Sequence, residues 1–341
     1  MPLNITRGKI SVVSKELVIW HFVRDRLVQS QPVILLVVAE STGSSPGRQG
    51  YKMAVGLDGE LVGSIGGGVM EVRLVEYAKA GLSVPGVVTT GHLTTESTEQ
   101  VHQKNAANAS GMICSGKQTV IFKRLDRDDL ATVKSIIGAL ENREPRQLTI
   151  SPPAFRTGPP QGGTQIDNYR FEKLSDSQFV FTEKLGKKND LYIIGGGHCS
   201  LALSELMSRM DFHIHILDDR PELNTIEKNH YADEITIIGG YDEIGARIPS
   251  GSNIYVVVMT LGYASDEIVI RRLVDHDLKY FGVLGSKAKM KILLTSLERD
   301  GVPRSRLDRI HTPVGLAINS RTPDEIAVSI AAEIISVKNA D

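Results

Sequence analysis

The first half of the chain alternates apolar segments of helical spacing with short apolar runs typical of strands. Apolar residues recur at helical spacing over residues 12–29, and similar patterns return at 69–80 and 128–140. Short apolar runs predict strands at 33–39, 51–55, 61–65, 86–90, 117–122, 147–150 and 179–181. An Asp58-Gly59 pair predicts a hairpin turn between the second and third of these strands. We expect mixed strand pairing in this half, with exposed loops over 94–110 and 151–163.

From residue 191 onward, β-branched runs alternate with helical segments, which is typical of a parallel sheet covered by helices. Strands are predicted at 191–194, 213–217, 234–238, 254–259 and 280–284, and helices at 198–210, 265–277 and 287–300. Thr322-Pro323-Asp324-Glu325 predicts the start of the last helix, because it combines a capping box with proline at the first helical position. The expected fold class is α/β, with a mixed α/β N-terminal domain and a Rossmann-like parallel-sheet C-terminal domain.

The length of the chain predicts two domains. With 341 residues, each domain is long enough to bury its own core. We place the N-terminal domain at 1–183 and the C-terminal domain at 190–341. A polar linker is predicted at about 183–190, because this segment carries two lysines and a glycine.

Charge and cysteine content restrict the function classes. The 39 basic and 40 acidic residues give a formal net charge of -1, so we expect neither nucleic acid nor a membrane surface as a partner. Cys114 and Cys199 have no CxxC spacing, which favours a reducing compartment, and we predict a cytoplasmic protein. We also expect no membrane span, since the apolar runs are far shorter than the roughly 20 residues it needs.

A glycine-rich turn opens the C-terminal domain. Gly195, Gly196, Gly197 and His198 follow an apolar strand and begin a helix, where a dinucleotide-binding turn is found. Asp218 and Asp219 end the next strand, near the distance expected of a ribose-binding acid. Cys199, next in the turn, is interpreted as a packing residue. These residues predict the fold, whereas nucleotide binding remains open because a Rossmann-like fold does not establish a ligand.

Two further candidate binding positions follow later strands of the same sheet. Thr260 follows the fourth strand, and Gly285, Ser286 and Lys287 follow the fifth. Open α/β sheets bind ligands at the carboxyl ends of their strands. Lys287, with two more lysines in the same helix, suits an anion, although a solvated basic surface explains them equally well.

The N-terminal half carries a second glycine cluster and a cysteine. Gly66, Gly67 and Gly68 lie between a strand and a helix, with Glu71 one turn on, and form a second candidate anion cradle or a tight turn without a ligand. The loop containing Ser45 and Arg48 is a candidate to face this turn. Cys114, in a turn of small residues, is a candidate nucleophile or sulfur carrier, with inert packing as the alternative.

His213 and His215 are two positions apart in a predicted strand, so their side chains share one face. With no third ligand adjacent in the sequence, we assign no metal.

These motifs together resemble the XdhC/CoxI family of accessory proteins, which mature molybdenum hydroxylases such as xanthine dehydrogenase. The resemblance rests on ordered segments along nearly the whole chain, namely 39–50, Gly63-Ser64-Ile65-Gly66-Gly67-Gly68 with Glu71, Met112-Ile113-Cys114-Ser115-Gly116, Gly195-Gly196-Gly197-His198, Asp218-Asp219-Arg220-Pro221, Gly285-Ser286-Lys287 and His311-Thr312-Pro313-Val314-Gly315-Leu316.

The resemblance implies a chaperone that binds molybdenum cofactor (molybdopterin), protects it during sulfuration and delivers it to the hydroxylase, without turning over substrate itself. It implies that Cys114 contacts the cofactor or carries sulfur, that the two glycine turns hold its phosphate or pterin, and that the cofactor binds in the domain cleft. A molybdenum hydroxylase client, a cysteine desulfurase and a homodimer are the implied partners.

Two other functions stay open. One is an NAD(P)-dependent oxidoreductase that uses the C-terminal glycine turn, although we find no pair of residues placed to transfer a hydride. The other is a docking subunit that binds no cofactor.

Overall fold

A computed structural model describes residues 3–5, 15–43, 45–83, 92–94, 117–142, 144–160, 168–175 and 178–340. The chain divides into two compact units. The N-terminal unit is Val13–Gly186, and the C-terminal unit combines Met1–Val12 with Lys187–Asp341. Among the described residues, no helix has both the length and the apolar character required to cross a membrane.

The strands and helices are numbered in chain order. The strands are β1 (Leu3–Ile5), β2 (Val33–Thr42), β3 (Lys52–Gly56), β4 (Leu61–Gly63), β5 (His92–Thr94), β6 (Lys117–Leu125), β7 (Gln147–Ile150), β8 (Phe155–Gly158), β9 (Tyr169–Ser175), β10 (Gln178–Lys184), β11 (Asn189–Ile194), β12 (Phe212–Asp218), β13 (Glu234–Ile237), β14 (Gly251–Val258) and β15 (Leu278–Val283). The α-helices are α1 (Lys15–Val28), α2 (Gly68–Ser83), α3 (Leu130–Asn142), α4 (His198–Met207), α5 (Asn224–Lys228), α6 (Ile244–Arg247), α7 (Tyr263–Leu273), α8 (Lys287–Arg299), α9 (Arg304–Leu307) and α10 (Pro323–Asn339).

One sheet of the N-terminal unit has the strand order β4-β3-β2-β6-β5. Its central strand β2 begins with seven consecutive buried residues, so both faces of the sheet are covered. The predicted hairpin is confirmed, since β3 and β4 are antiparallel and Gly59 supplies the positive φ of 84° that the turn requires. All recorded pairs in this sheet are antiparallel, so the expectation of mixed pairing is wrong for its described strands.

A second antiparallel sheet in the N-terminal unit has the order β8-β7-β10-β9. The predicted loop at 151–163 is corrected here, because β8 lies within it and pairs with β7. The sequence did not predict β9 either. Most of its residues are exposed, so it lacks the apolar run that marks a buried strand. The predictions at 86–90 and over most of 94–110 lie outside the described residues.

Helices α1 and α3 pack against both sheets and share one apolar core with them. Trp20 of α1 is fully buried in this core, and Phe181 of β10 contributes from the second sheet. Helix α2 packs on the opposite face of the first sheet, against residues such as Ile34 and Met53. A buried ion pair between Lys52 and Glu183 also links β3 to β10.

The C-terminal unit is a twisted sheet of order β1-β13-β12-β11-β14-β15. Strands β11 to β15 are parallel, as predicted, and β1 adds an antiparallel strand beside β13 that the sequence did not predict. One face packs against α4 and α10, and the other packs against α7 and α8. The direction of strand order reverses between β11 and β14, which is where open α/β sheets bind ligands.

The predicted start of the last helix is confirmed. Thr322 Oγ1 accepts the Glu325 N–H at 3.2 Å, Glu325 accepts the Thr322 N–H at 3.1 Å, and Pro323 occupies the first turn. Between the two units, β10 ends at Lys184 and β11 begins at Asn189. The connection therefore lies within the segment predicted as the linker.

Candidate functional site

The glycine turn after β11 lies at the position where strand order reverses. At Gly195 the φ is +106°, and a Cβ there would lie 2.4 Å from the Met259 carbonyl oxygen, so only glycine fits. A Cβ at Gly196 would lie 2.6 Å from the Ile226 side chain. Gly197 is the N-cap of α4 and has open space around it. The turn therefore brings its backbone close to β14 while leaving the start of α4 accessible.

Asp218 at the end of β12 holds this turn in place. Its side chain is fully buried, and Oδ2 accepts the Gly196 N–H at 2.6 Å. Arg220 donates to the same carboxylate from its backbone N–H at 2.8 Å, from Nε at 2.9 Å and from Nη2 at 2.7 Å. This pairing raises the pKa of Arg220. Asp218 is thus engaged by the chain itself, whereas the neighbouring Asp219 side chain is 40% exposed.

An ion pair between Asp266 and Lys289 lies beside the predicted residues that follow β14 and β15. Thr260 Oγ1 lies 2.6 Å from Asp266 Oδ1, and Lys289 Nζ lies 2.8 Å from Asp266 Oδ2. Ser286 caps α8 by accepting the Lys289 N–H at 3.2 Å. The predicted anion-binding residue Lys287 is exposed at the start of α8. Lys289 therefore pairs with Asp266, whereas Lys287 faces solvent.

Two helices begin at this sheet edge on glycines, which gives it the chemistry of an anion site. Gly197 and Gly262 are the N-caps of α4 and α7, and neither provides a side-chain oxygen to the first-turn N–H groups. Such amides, together with the helix dipole, favour an anion such as a phosphate.

His198 lies exposed in the first turn of α4. Burial raises the pKa of Cys199, which fits its predicted packing role better than a nucleophilic one.

The second glycine turn, in the N-terminal unit, is filled by its own glutamate. Glu71 Oε2 accepts the Ile65 N–H at 2.8 Å, the Gly67 N–H at 2.9 Å and the Ser64 hydroxyl at 2.7 Å. The carboxylate therefore occupies the position that an anionic ligand of these amides would take. Gly66, at φ +128°, and Gly68, at φ +74°, provide the positive φ values of the turn.

The loop with Ser45 packs against this turn, as the sequence suggested. A Cβ at Gly47 would lie 2.0 Å from the Ile65 carbonyl oxygen, so the two backbones are in contact. Gln118 joins them, since its Oε1 accepts the Gly47 N–H at 3.1 Å and its Nε2 donates to Ile65 O at 2.9 Å. Ser45 is buried beside Gln118, with 2.9 Å between Oγ and Oε1. Sequence reasoning missed Gln118, because a single polar residue at the start of a strand carries no signal.

The other predicted residues of this half are Arg48 and Cys114. Arg48 is exposed, and its Nη1 donates to Gly43 O at 3.3 Å. It is therefore the charged side chain of this loop that faces solvent. Cys114 lies outside the described residues.

A polar cluster on β11, β12 and β13 was also missed. His213 and His215 share one face of β12, and the parallel register places Glu234 beside His215. The expectation of no third ligand near the two histidines is wrong, because Glu234 comes from a strand 19 residues further along the chain. Only strand pairing brings these side chains together, so sequence spacing held no signal for the cluster.

Comparisons with known proteins match both units of the chain. Residues 191–334 match the model described as the XdhC Rossmann domain, and residues 27–90 match the model described as the XdhC and CoxI family. The chain is 23% identical over 331 residues to a protein of Bacillus subtilis (strain 168) named as a probable xanthine dehydrogenase subunit, covering 94% of this chain and 97% of that protein. It is also 23% identical over 314 residues to the uncharacterized protein YqeB of Escherichia coli (strain K12), covering 91% of this chain. The match spans only 44% of YqeB.

A solved structure shows the same fold. The crystal structure described as a xanthine dehydrogenase from Bacillus halodurans superposes with a TM-score of 0.61 at 22% identity, covering 96% of each chain. The two family models account for the glycine turns of both units, and with them the resemblance carried by the sequence motifs is confirmed: the chain belongs to the XdhC and CoxI family.

Proposed function

We propose that the chain is an accessory protein that binds molybdenum cofactor, protects it while its sulfido ligand is installed and delivers it to a molybdenum hydroxylase such as xanthine dehydrogenase. Family membership supports an accessory role, and so does similarity to the Bacillus subtilis protein named for xanthine dehydrogenase. The hydroxylase is the client, a cysteine desulfurase supplies sulfur, and the protein acts as a cytoplasmic homodimer. Sulfur handling by Cys114 is part of this proposal.

The observation that carries the proposal is the accessible N-terminus of α4, whose N-cap residue is a glycine. Because Gly197 has no side chain, the first-turn amides of α4 face the sheet edge without a capping oxygen. A phosphate group is a natural partner for such amides. Molybdopterin carries a phosphate, so the cofactor supplies the anion that this edge favours. Gly285, Ser286 and Lys287 lie at the end of β15, along the same edge.

The contacts of Asp218 weigh against ribose binding at this residue, which leaves the exposed Asp219 as the acid that an NAD(P)-dependent oxidoreductase would need. A dinucleotide site needs an acid whose oxygens are free to accept from the ribose hydroxyls. Asp218 is fully buried and already accepts the Gly196 amide and three N–H groups of Arg220. Ribose binding at Asp218 would break this network, which also holds the glycine turn to β12.

The first experiment is an anaerobic titration of the purified protein with molybdenum cofactor, followed by ultrafiltration. A parallel titration with NAD and NADP uses the same protein. We expect molybdenum and pterin to be retained together and both nucleotides to pass through. Retention of a nucleotide without the cofactor would overturn the proposal in favour of the oxidoreductase. Retention of neither, with capture of the hydroxylase, would support a docking subunit instead.

A matched pair of variants tests whether α4 holds the anionic group. Gly197 has an extended backbone with φ -74° and nothing within 4 Å of a Cβ, so aspartate and asparagine both fit. Both side chains can cap α4, but only aspartate adds a negative charge where the phosphate would bind. We expect Gly197→Asp to weaken cofactor binding about tenfold more than Gly197→Asn does, a difference of about 1.4 kcal/mol. Equal affinities would place the anionic group elsewhere.

Cys114→Ser tests the sulfur-handling part separately. The readout is activation of the client hydroxylase by cofactor that the variant has carried. We expect the variant to bind cofactor and to lose most of the activation. Full activation by Cys114→Ser would remove sulfur transfer from the proposal while leaving the binding role intact.

A further inference from the structure

The polar cluster on β11 to β13 lies at the amino end of the parallel sheet. His213 and His215 lie on the same face of β12. In the sheet register, Asp190 of β11 is opposite His213, and Glu234 of β13 is opposite His215. The cluster shares its sheet face with the core that includes Ile194 and Leu217. Asp218 lies three residues beyond His215 and five beyond His213 on β12, so the carboxyl end of the sheet is roughly 10–17 Å from the cluster at about 3.3 Å per residue. The cluster is thus separate from the proposed cofactor site.

Three side chains in this cluster present ligand atoms at distances that suit one metal ion. His213 Nε2 lies 3.4 Å from Glu234 Oε1, and His215 Nδ1 lies 3.3 Å from Glu234 Oε2. One ligand atom from each of the three residues lies within 4.8 Å of the others. Tetrahedral ligands at about 2.0–2.1 Å from zinc are about 3.3 Å apart, so these separations fit a shared ion.

The opposite ring nitrogens of both histidines face carboxylates. Asp190 Oδ1 lies 3.2 Å from His215 Nε2, which leaves Nδ1 of that ring directed at Glu234. Asp233 Oδ1 lies 3.9 Å from His213 Nδ1, which leaves Nε2 directed at Glu234. Metal-binding histidines commonly donate their second N–H to a carboxylate, which orients the ring and sets its tautomer.

Neighbouring groups fix these side chains and leave negative charge at the cluster. Asn253 Nδ2 donates to Asp190 Oδ2 at 3.1 Å, and Lys187 Nζ pairs with Asp233 at 2.8 Å. Tyr192 stacks on the His215 ring with centroids 4.3 Å apart. Three carboxylates surround the imidazoles and Lys187 offsets one of them, so a divalent cation would balance the remaining charge.

We propose that His213, His215 and Glu234 bind a divalent transition-metal ion of the zinc class. Two imidazoles and one carboxylate form a known ligand set for Zn²⁺, and imidazole also suits Co²⁺, Ni²⁺ and Cu²⁺. The three ligands leave a fourth position for water, on the side where the Glu234 side chain is 57% exposed. Bound metal would join β12 to β13 at the amino edge of the sheet.

The test is a Co²⁺ titration of the full chain, purified without a histidine tag. We expect one equivalent of Co²⁺ to bind, with the visible bands of a tetrahedral site, and Zn²⁺ to displace it. No binding would overturn the proposal. Strong near-ultraviolet bands from thiolate-to-cobalt charge transfer would overturn it too, because they would place the ion on a cysteine. This measurement uses the unmodified chain and needs no variant to fold.

Variants then assign the ligands. His215→Ala and Glu234→Gln each remove one ligand, and Asp190→Asn removes a carboxylate that orients one. We expect Asp190→Asn to weaken Co²⁺ binding about 10–100-fold and the two ligand variants to weaken it more. His230→Ala is the control, because His230 is an exposed histidine outside the cluster, and its Kd should match that of the unmodified chain. Unchanged binding by folded Glu234→Gln and His215→Ala would refute the site.

Discussion

The buried ion pair between the two sheets of the N-terminal unit offers a quantitative test of its packing. Lys52 Nζ on β3 lies 2.6 Å from Glu183 Oε2 on β10, and their side chains are only 4% and 1% exposed. Lys52 Nζ also donates to Gly50 O at 3.1 Å and lies 3.4 Å from Glu16. The substitution Lys52→Met keeps an unbranched side chain one atom shorter and removes its charge, which leaves Glu183 buried without its ammonium partner.

The expected loss of unfolding free energy follows from the burial of both partners. Removing one partner of a buried ion pair costs about 3–5 kcal/mol, because the other charge stays desolvated. With a urea m-value of about 2 kcal/mol/M, the midpoint of unfolding should fall by about 1.5–2.5 M. The double variant Lys52→Met with Glu183→Leu replaces both charges by apolar groups, so it should recover most of this loss.

Trp20 makes the measurement specific to this unit. It is the one tryptophan in the sequence and is fully buried in the core of the N-terminal unit, so its fluorescence follows unfolding of that unit. Urea titrations of the unmodified chain, the single variant and the double variant should show one m-value and three midpoints. A single variant within about 0.5 M of the unmodified chain would refute the reasoning, and so would a double variant no more stable than the single one.

Two further predictions concern a buried lysine and a glycine. Burial lowers the pKa of Lys123, whose Nζ donates to Pro152 O at 3.2 Å. The unfolded chain therefore holds this proton more tightly, and stability of the unmodified chain rises with pH up to the ordinary lysine pKa of 10.5. Lys123→Met should be more stable than the unmodified chain at neutral pH, with an advantage that shrinks as pH rises. Parallel curves from Trp20 fluorescence would contradict this. Gly195→Ala should destabilise the C-terminal unit by at least about 3 kcal/mol, through its positive φ and its contact with Met259, whereas Gly197→Ala should cost about 1 kcal/mol or less. Urea unfolding followed by far-UV circular dichroism compares them, and equal midpoints would contradict the assignment.

Sequence patterns predicted the elements that bury continuous apolar runs. Strand β2 and the parallel strands of the C-terminal unit were predicted because each needs a row of apolar side chains to lie between two layers. Strands β8 and β9 were missed because they are short or largely exposed, so pairing rather than burial defines them. The strand β1 was missed for a related reason: its partner β13 is more than 200 residues away in the sequence.

The residues of the candidate site also fall into a group that the sequence predicted and a group whose contacts it did not predict. Glycine turns were visible in the sequence, because a positive φ or a close backbone contact requires glycine, as at Gly195. The hydrogen-bond partners of the polar residues beside these turns could not be predicted from the sequence. Asp218 had the spacing of a ribose-binding acid, but the fold buries it against Arg220 and Gly196. Glu71 had the position of a ligand-binding residue, but it accepts the amides of its own turn.

Sequence patterns were enough to predict the α/β class, the order of most buried elements, the glycine turns and the family, because these depend on local periodicity and on residues with few substitutes. The pairing of polar groups, in contrast, became visible only in the folded units. Hydrogen bonds and ion pairs such as Lys52 with Glu183, or His215 with Glu234, join side chains from different strands. Their distances depend on strand order and register, and these are set by packing of the whole unit rather than by any short segment.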